Sequence, residues 1–185
     1  MLAKRIFVIV IAAALGATLA APLVVAENTR SEPKTEAQNE IANRLDSFES
    51  SAAALQKQTD NYASSVRANR PQRDSHVRQL SITREQVNYL GRELSELEEL
   101  SLQATELQQK AIEEIRPHLQ AVADHVQSAI VMLNESHQVH RTPEFQETVI
   151  GIYEHADDLY TKVDAITDYE RARERAASMN AISES

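Results

Sequence analysis

No cysteine occurs anywhere in this 185-residue chain, and there is no tryptophan. Without cysteine there are no disulfides, no thiolate zinc sites, no CxxCH haem attachment and no cysteine nucleophile. Stability must come from apolar burial. Helix breakers are equally scarce: beyond residue 26 the only glycines are Gly91 and Gly151, and the only prolines are Pro33, Pro71, Pro117 and Pro143. The motifs of enzymes are missing too. There is no glycine-rich phosphate loop, no GxSxG and no HExxH. The reading is therefore non-enzymatic, with no cofactor.

What is present begins with a leader. Lys4 and Arg5 precede an apolar run from Ile6 to Leu19 that only Gly16 and Thr18 interrupt. Pro22 and then Val24-Val25-Ala26 follow, the pattern of a secretory signal cleaved after Ala26. The alternative is a retained N-terminal membrane anchor, since Ile6 to Ala26 is long enough to span a bilayer. Either way the body is expected to be exported, periplasmic or secreted, with no membrane insertion once the signal is gone. Removing Lys4 and Arg5 leaves 17 basic against 28 acidic residues, a net charge of −11. That sign argues against nucleic acid and anionic lipid and favours a protein partner, a second copy in a homo-oligomeric dimer included.

Residues 27–35 are polar and unpatterned and read as a disordered linker. Residues 36–177 form the body, and 178–185 read as a frayed tail. The fold class is all-α: an elongated antiparallel helical bundle or coiled coil of three long helices, the middle one kinked at Pro117. The first helix spans about Glu36 to Asn69, with a seam at Ile41, Leu45, Phe48, Ala52, Leu55, Thr59, Tyr62 and Val66. Its steps alternate four and three, a heptad repeat. Pro71 ends it.

Asp74 is the expected N-cap of the second helix. Its apolar positions run from Val77, Leu80, Val87, Leu90, Leu94 and Leu97 through Ala104, Leu107, Ala111, Ile115 and Leu119 to Val122, Val126, Ala129 and Leu133. The pattern implies one helix of ~62 residues, ~93 Å long at 1.5 Å per residue. The run Ile130-Val131-Met132-Leu133 is apolar all round and marks a candidate core centre. The third helix opens at Thr142-Pro143-Glu144 and carries a seam at Phe145, Val149, Ile152, Ala156, Leu159, Val163 and Ile166. A lone hairpin of this kind buries too little. Either two copies associate, or the second helix bends until all helices pack as one bundle. The expectation is the elongated, self-associating form.

The candidates for chemistry are few. His118 and His125 are seven apart on one face, with Glu114 one turn before His118 and Asp124 beside His125. A bundle metal site, or a haem-binding four-helix bundle, would use inward Glu and His at such spacings, although the Glu-x-x-His pairing of di-iron bundles is missing. His137, His140 and His155, the last near Asp157 and Asp158, read as solvated surface. Tyr89, Tyr153, Tyr160 and Tyr169 either line a groove or flank the core with their hydroxyls in water. Asn134-Glu135-Ser136 forms a glycosylation sequon.

One short motif has a family parallel. Ile82-Thr83-Arg84-Glu85-Gln86 resembles the LTxxQ signature of small periplasmic helical stress chaperones, with Ile in place of Leu. The resemblance covers five residues and has no second copy. It implies an unfolded protein held on a concave helical surface, with Thr83 and Gln86 as candidate partner-binding residues. The same residues also fit a Thr-x-x-Gln capping box, or positions inside a helix with no role of their own.

Overall fold

The computed structural model describes residues 35–68 and 72–183; the leader and residues 27–34 lie outside the described residues. The described residues are all-α, and they form four helices rather than three: α1 (Glu36–Arg67), α2 (Arg73–Glu99), α3 (Glu106–Glu135) and α4 (Pro143–Ser183). Each helix packs chiefly against two others in the cyclic order α1, α2, α3, α4, an up-down-up-down bundle within one chain.

The predicted continuous second helix is broken at Leu100–Thr105, and that is the main correction. A 3-10 turn at Ser101–Gln103 follows α2, and Thr105 then caps α3. The Thr105 hydroxyl accepts from the Gln108 backbone N–H (3.3 Å), and the Gln108 side-chain oxygen accepts from the Thr105 N–H (3.0 Å). This reciprocal box satisfies two of the donors that a helix start leaves open. The amide of Gln109 donates to the carbonyls of Ser101 (3.0 Å) and Ala104 (3.3 Å), so the turn's acceptors are also met. The break hides in the sequence because Leu97, Ser101, Ala104 and Gln108 keep the four-three spacing across it.

Pro117 does not end α3. Its ring is exposed, and so is Glu113, whose carbonyl loses the proline's missing N–H; water reaches both. At the other starts, Thr35 builds a second box with Gln38. The Thr142 hydroxyl accepts from the N–H of Phe145 at 3.3 Å, as the sequence predicts for the start of α4. Asp74 is not the cap of α2. That position is Gln72, with no side-chain bond, and Asp74 lies in the first turn, where its charge faces the positive end of the helix dipole. α4 continues to Ser183, past the residue where a frayed tail is expected.

The core is the seam the heptads mark. All eight predicted positions of α1 are buried, with Phe48, Leu55 and Ile41 fully so. In α4 the predicted residues from Phe145 to Val163 are buried, and Ile166 packs partly against them. In α2 the register differs by one residue at its start. Val77 is 45 % exposed, while His76 and Thr83 fill seam positions four and three residues either side of Leu80. Of the apolar run at 130–133 only Leu133 is buried, and Val131 faces solvent.

Polar ties set the order of neighbours. Arg44 pairs with Glu96 between α1 and α2, and Arg116 pairs with Glu98 between α2 and α3. Arg171 of α4 reaches Glu49 (2.7 Å) and Asp46 (2.9 Å) of α1. The half-buried Glu49 holds the Arg171 guanidinium above its ordinary range. The Arg73 guanidinium donates to the carbonyl of Leu133 (2.9 Å), one of the last acceptors of α3.

Thr105→Ala is expected to lower stability by about 1 kcal/mol, the usual worth of an N-cap hydroxyl. Urea unfolding followed by circular dichroism measures it. An unchanged midpoint would show that the turn is held without the box.

Candidate functional site

Three polar clusters lie within the bundle, and each draws on more than one helix. The first is at the end formed by the α1–α2 and α3–α4 connections. His76 is 1 % exposed and shares a 2.8 Å hydrogen bond between its Nδ1 and the Tyr62 hydroxyl. The edge of Phe145 packs against its ring with centroids 5.0 Å apart, and His140 lies 5.8 Å away. Burial raises the Tyr62 phenol above its ordinary 10.0. This histidine fills a seam position as a leucine would, and its one tilted aromatic neighbour on α1 also bonds to it.

The second cluster joins α3 to α4. The predicted neighbour of His125 is His118, one heptad away on the same helix. The structure pairs His125 with His155 instead, ring centroids 4.9 Å apart in an edge-on contact. The His125 Nδ1 lies 3.0 Å from the carbonyl of Ala121. The ring rests on Gly151, which is buried. A Cβ there would stand 2.5 Å from His125 Cδ2 and 2.6 Å from Nε2. Gly151 is thus a notch for an imidazole. Glu114, the expected carboxylate of this group, points elsewhere: its oxygens lie 3.9 Å from Lys110 Nζ and 3.7 Å from Lys162 Nζ. His118 is half-buried one heptad away. The structure does not bring His118, His125 and Glu114 together, and among the described residues no group of three or more His, Asp or Glu side chains is placed to hold a metal ion.

The third cluster contains the chaperone-like motif. Thr83 is fully buried on the α1 side of α2. Its hydroxyl lies 2.9 Å from the Gln79 carbonyl and 3.2 Å from the Gln58 side-chain oxygen, and Gln58 donates in turn to Gln79 (3.1 Å). Gln86 is half-buried, and its side-chain oxygen makes no hydrogen bond. The motif therefore sits within a helix as part of the seam, not at a helix start and not on an open surface. Ile82, at 39 % exposed, turns outward.

The tyrosines do not converge. Tyr153 and Tyr160 flank the seam half-buried, as their positions one after Ile152 and Leu159 imply. The Arg67 guanidinium lies over the Tyr153 ring at 5.7 Å, and Tyr160 donates to Asp164 at 3.3 Å, whose charge raises that phenol. Tyr89 and Tyr169 are exposed on different helices.

Sequence reasoning missed His76, Gln108, Thr167 and Glu170, all buried polar groups. The gap in the predicted α2 seam between Leu80 and Val87 was the available signal, because a four-three count must place something at residue 83 and at residue 76.

The end of α4 differs from the rest of the bundle. Beyond Arg171 no described side chain is buried, and Tyr169, Met179 and Ile182 are 60, 65 and 75 % exposed. Arg171, Glu174, Arg175, Ser178 and Met179 line a shallow, open depression there. Leu102, in the α2–α3 turn at the same end, is 94 % exposed. Among the described residues no helix is long and apolar enough to cross a membrane. Compared with family models, with curated proteins and with solved structures, the chain matches none.

Two outcomes follow from the buried pairs. Gly151→Ala should cost roughly 1–3 kcal/mol, because the added methyl displaces the His125 ring. In a His125→Ala background the same change should be neutral or stabilising by up to ~1 kcal/mol, since alanine is the better helix former. A double-mutant cycle in urea checks this; equal effects in both backgrounds would remove the notch. Tyr62→Phe tests the other pair. A phenol whose folded pKa is raised contributes stability that is whole below its unfolded value near 10.0 and is lost as the pH climbs past it. The variant should be weaker by about 1–3 kcal/mol at neutral pH. Its deficit should hold constant up to about pH 10 and shrink progressively above it, where only the parent chain loses this contribution. A deficit independent of pH would contradict it.

Proposed function

We propose that this chain is an exported, non-catalytic helical bundle that scaffolds or binds another protein through its helical surface. The leader supports export: two basic residues, an apolar run and a small-residue cleavage pattern precede Glu27. The observation that carries the binding role is the end of α4. Over its last three turns α4 has no buried side chain among the described residues, yet it presents exposed methionine and isoleucine, with the exposed Tyr169 just before them. Methionine and tyrosine adapt to partner surfaces, and apolar residues clustered on one exposed element mark contact sites more often than singly scattered ones do. The inward side chains of Thr83, His125 and Tyr62 are already engaged with the chain itself.

The test is position-specific crosslinking in the exported protein. A photo-reactive residue replacing Met179 should give a discrete adduct with a second protein. The same residue replacing Arg78, on the outer face of α2, should not. Adducts of equal yield and pattern from both positions would sink the assignment of the α4 end.

A further inference from the structure

We propose that the end of α4 docks on a second copy of this chain, lying along the partner's α2–α3 turn while the partner's α4 end lies along its own. The inference rests on the protein-binding reading above and names the partner for its exposed surface. Three observations converge.

The first is a second heptad stripe. Tyr169, Ala172, Ala176 and Met179 follow each other at steps of three, four and three, all exposed, and Ile182 lies one turn on. The core stripe of the same helix ends in Thr167 and Glu170, one position away from this one. α4 therefore carries two seams at its end, and the outward one has the spacing that packs against another helix or turn.

The second is the α2–α3 turn. Leu102 projects there at 94 % exposure, between the exposed Glu99 and Glu106. A leucine so placed in a capped and hydrogen-bonded turn is an apolar knob that no described residue buries. The outward stripe of the α4 end offers one.

The third is charge. Arg173 and Arg175 are exposed beside the outward stripe, with the exposed Glu174 between them in sequence, so this segment carries a net positive charge in a chain whose balance is strongly acidic. Glu99 and Glu106 flank the knob. The arginine-flanked stripe and the acidic turn lie at the same end of one bundle, so a single two-fold axis satisfies both at once: each protomer gives its stripe and receives the other's. The Arg173 and Arg175 side chains would meet the partner's Glu99 and the partner's Glu106, while Met179 and Ile182 cover the partner's Leu102. The twelve residues from 172 to 183 extend ~18 Å at the helical rise, enough to cross a turn but not to bury the roughly 800 Å² per partner of a standard interface. The dimer is accordingly weak, concentration-dependent and sensitive to salt.

Sedimentation equilibrium of the chain from Glu27 onward, from micromolar to near-millimolar concentration, tests it. The parent should dimerise reversibly and less tightly as salt is added. Arg173→Glu with Arg175→Glu should raise the dissociation constant about tenfold or more, as should Glu99→Lys with Glu106→Lys. Mixing the two variants should restore association as a heterodimer. Circular dichroism should show both variants folded, since the four side chains are exposed. A parent chain monomeric throughout, or a dimer indifferent to both reversals, would overturn the inference. A monomeric chain that still forms an adduct with a different protein through position 179 would also overturn self-docking, and would leave the binding-module reading standing.

Discussion

A helix that buries one stripe needs neighbours on both sides of that stripe, and the reversal at Leu100–Thr105 supplies them. Without it the segment from Arg73 to Glu135 would be a rod, with α1 covering one half and α4 the other. Each half would be a two-helix hairpin, which buries too little to offset the ordering of its own backbone. With it, four seams close around one core in a chain that has no disulfide to fall back on. The reversal itself is held by polar groups with modest individual worth. The hydroxyl of Thr105 and the amides of Gln108 and Gln109 do most of this, and Gln108 also donates to the carbonyl of Gln38 at the start of α1, 3.1 Å away. A buried glutamine at a seam position thus links the third helix to the first where an apolar residue would not.

The sequence makes the helical class and most of the core legible, for a physical reason: a heptad stripe is a statement about which side of a helix faces apolar neighbours, and α1 and α4 are governed by little else. It does not show where the backbone stops being helical. The four-three count passes through Ser101 and Ala104 without a fault, because small residues fit a turn and a seam equally well. The local signal that separates the two is the Thr-x-x-Gln box, which occurs at Thr35, Thr83 and Thr105. Two of these are helix starts and one is a helix interior. The difference lies in the preceding backbone, extended before α1 and α3 and helical before Thr83. Only tertiary packing decides that.

The polar candidates follow the same logic. Spacing on one helix places His118 and His125 on one face, but a bundle interior is assembled from facing helices, so the neighbour of His125 is set by α4. Gly151 gives the imidazole room and His155 meets its edge, neither of which is near it in sequence. His76 shows the complement. Its position reads as the residue beside the seam valine, yet the tyrosine hydroxyl on α1 makes a buried imidazole tolerable where burial of an unpartnered one would cost several kcal/mol. Val77, with nothing to gain from a polar partner, is turned outward.

The length of α4 remains to be accounted for by something other than burial. Its 41 residues exceed the 27 of α2 and the 30 of α3, and the surplus is at the end away from the α3–α4 connection. Alanine and arginine dominate the stretch from Arg171 to Ala177, both strong helix formers, so the segment favours the helix without tertiary support. Three turns of helix with no buried side chain among the described residues are marginal in water, because little apolar burial adds to one hydrogen bond per residue. In the proposed docking, a segment with so little burial of its own would bind with less affinity than its contact area would give a buried one, and would release quickly. That combination suits the proposed reversible association. In the proposed docking, Arg173 and Arg175 beside the stripe would draw an acidic surface in by charge, and Met179 and Ile182 would then fix how it sits.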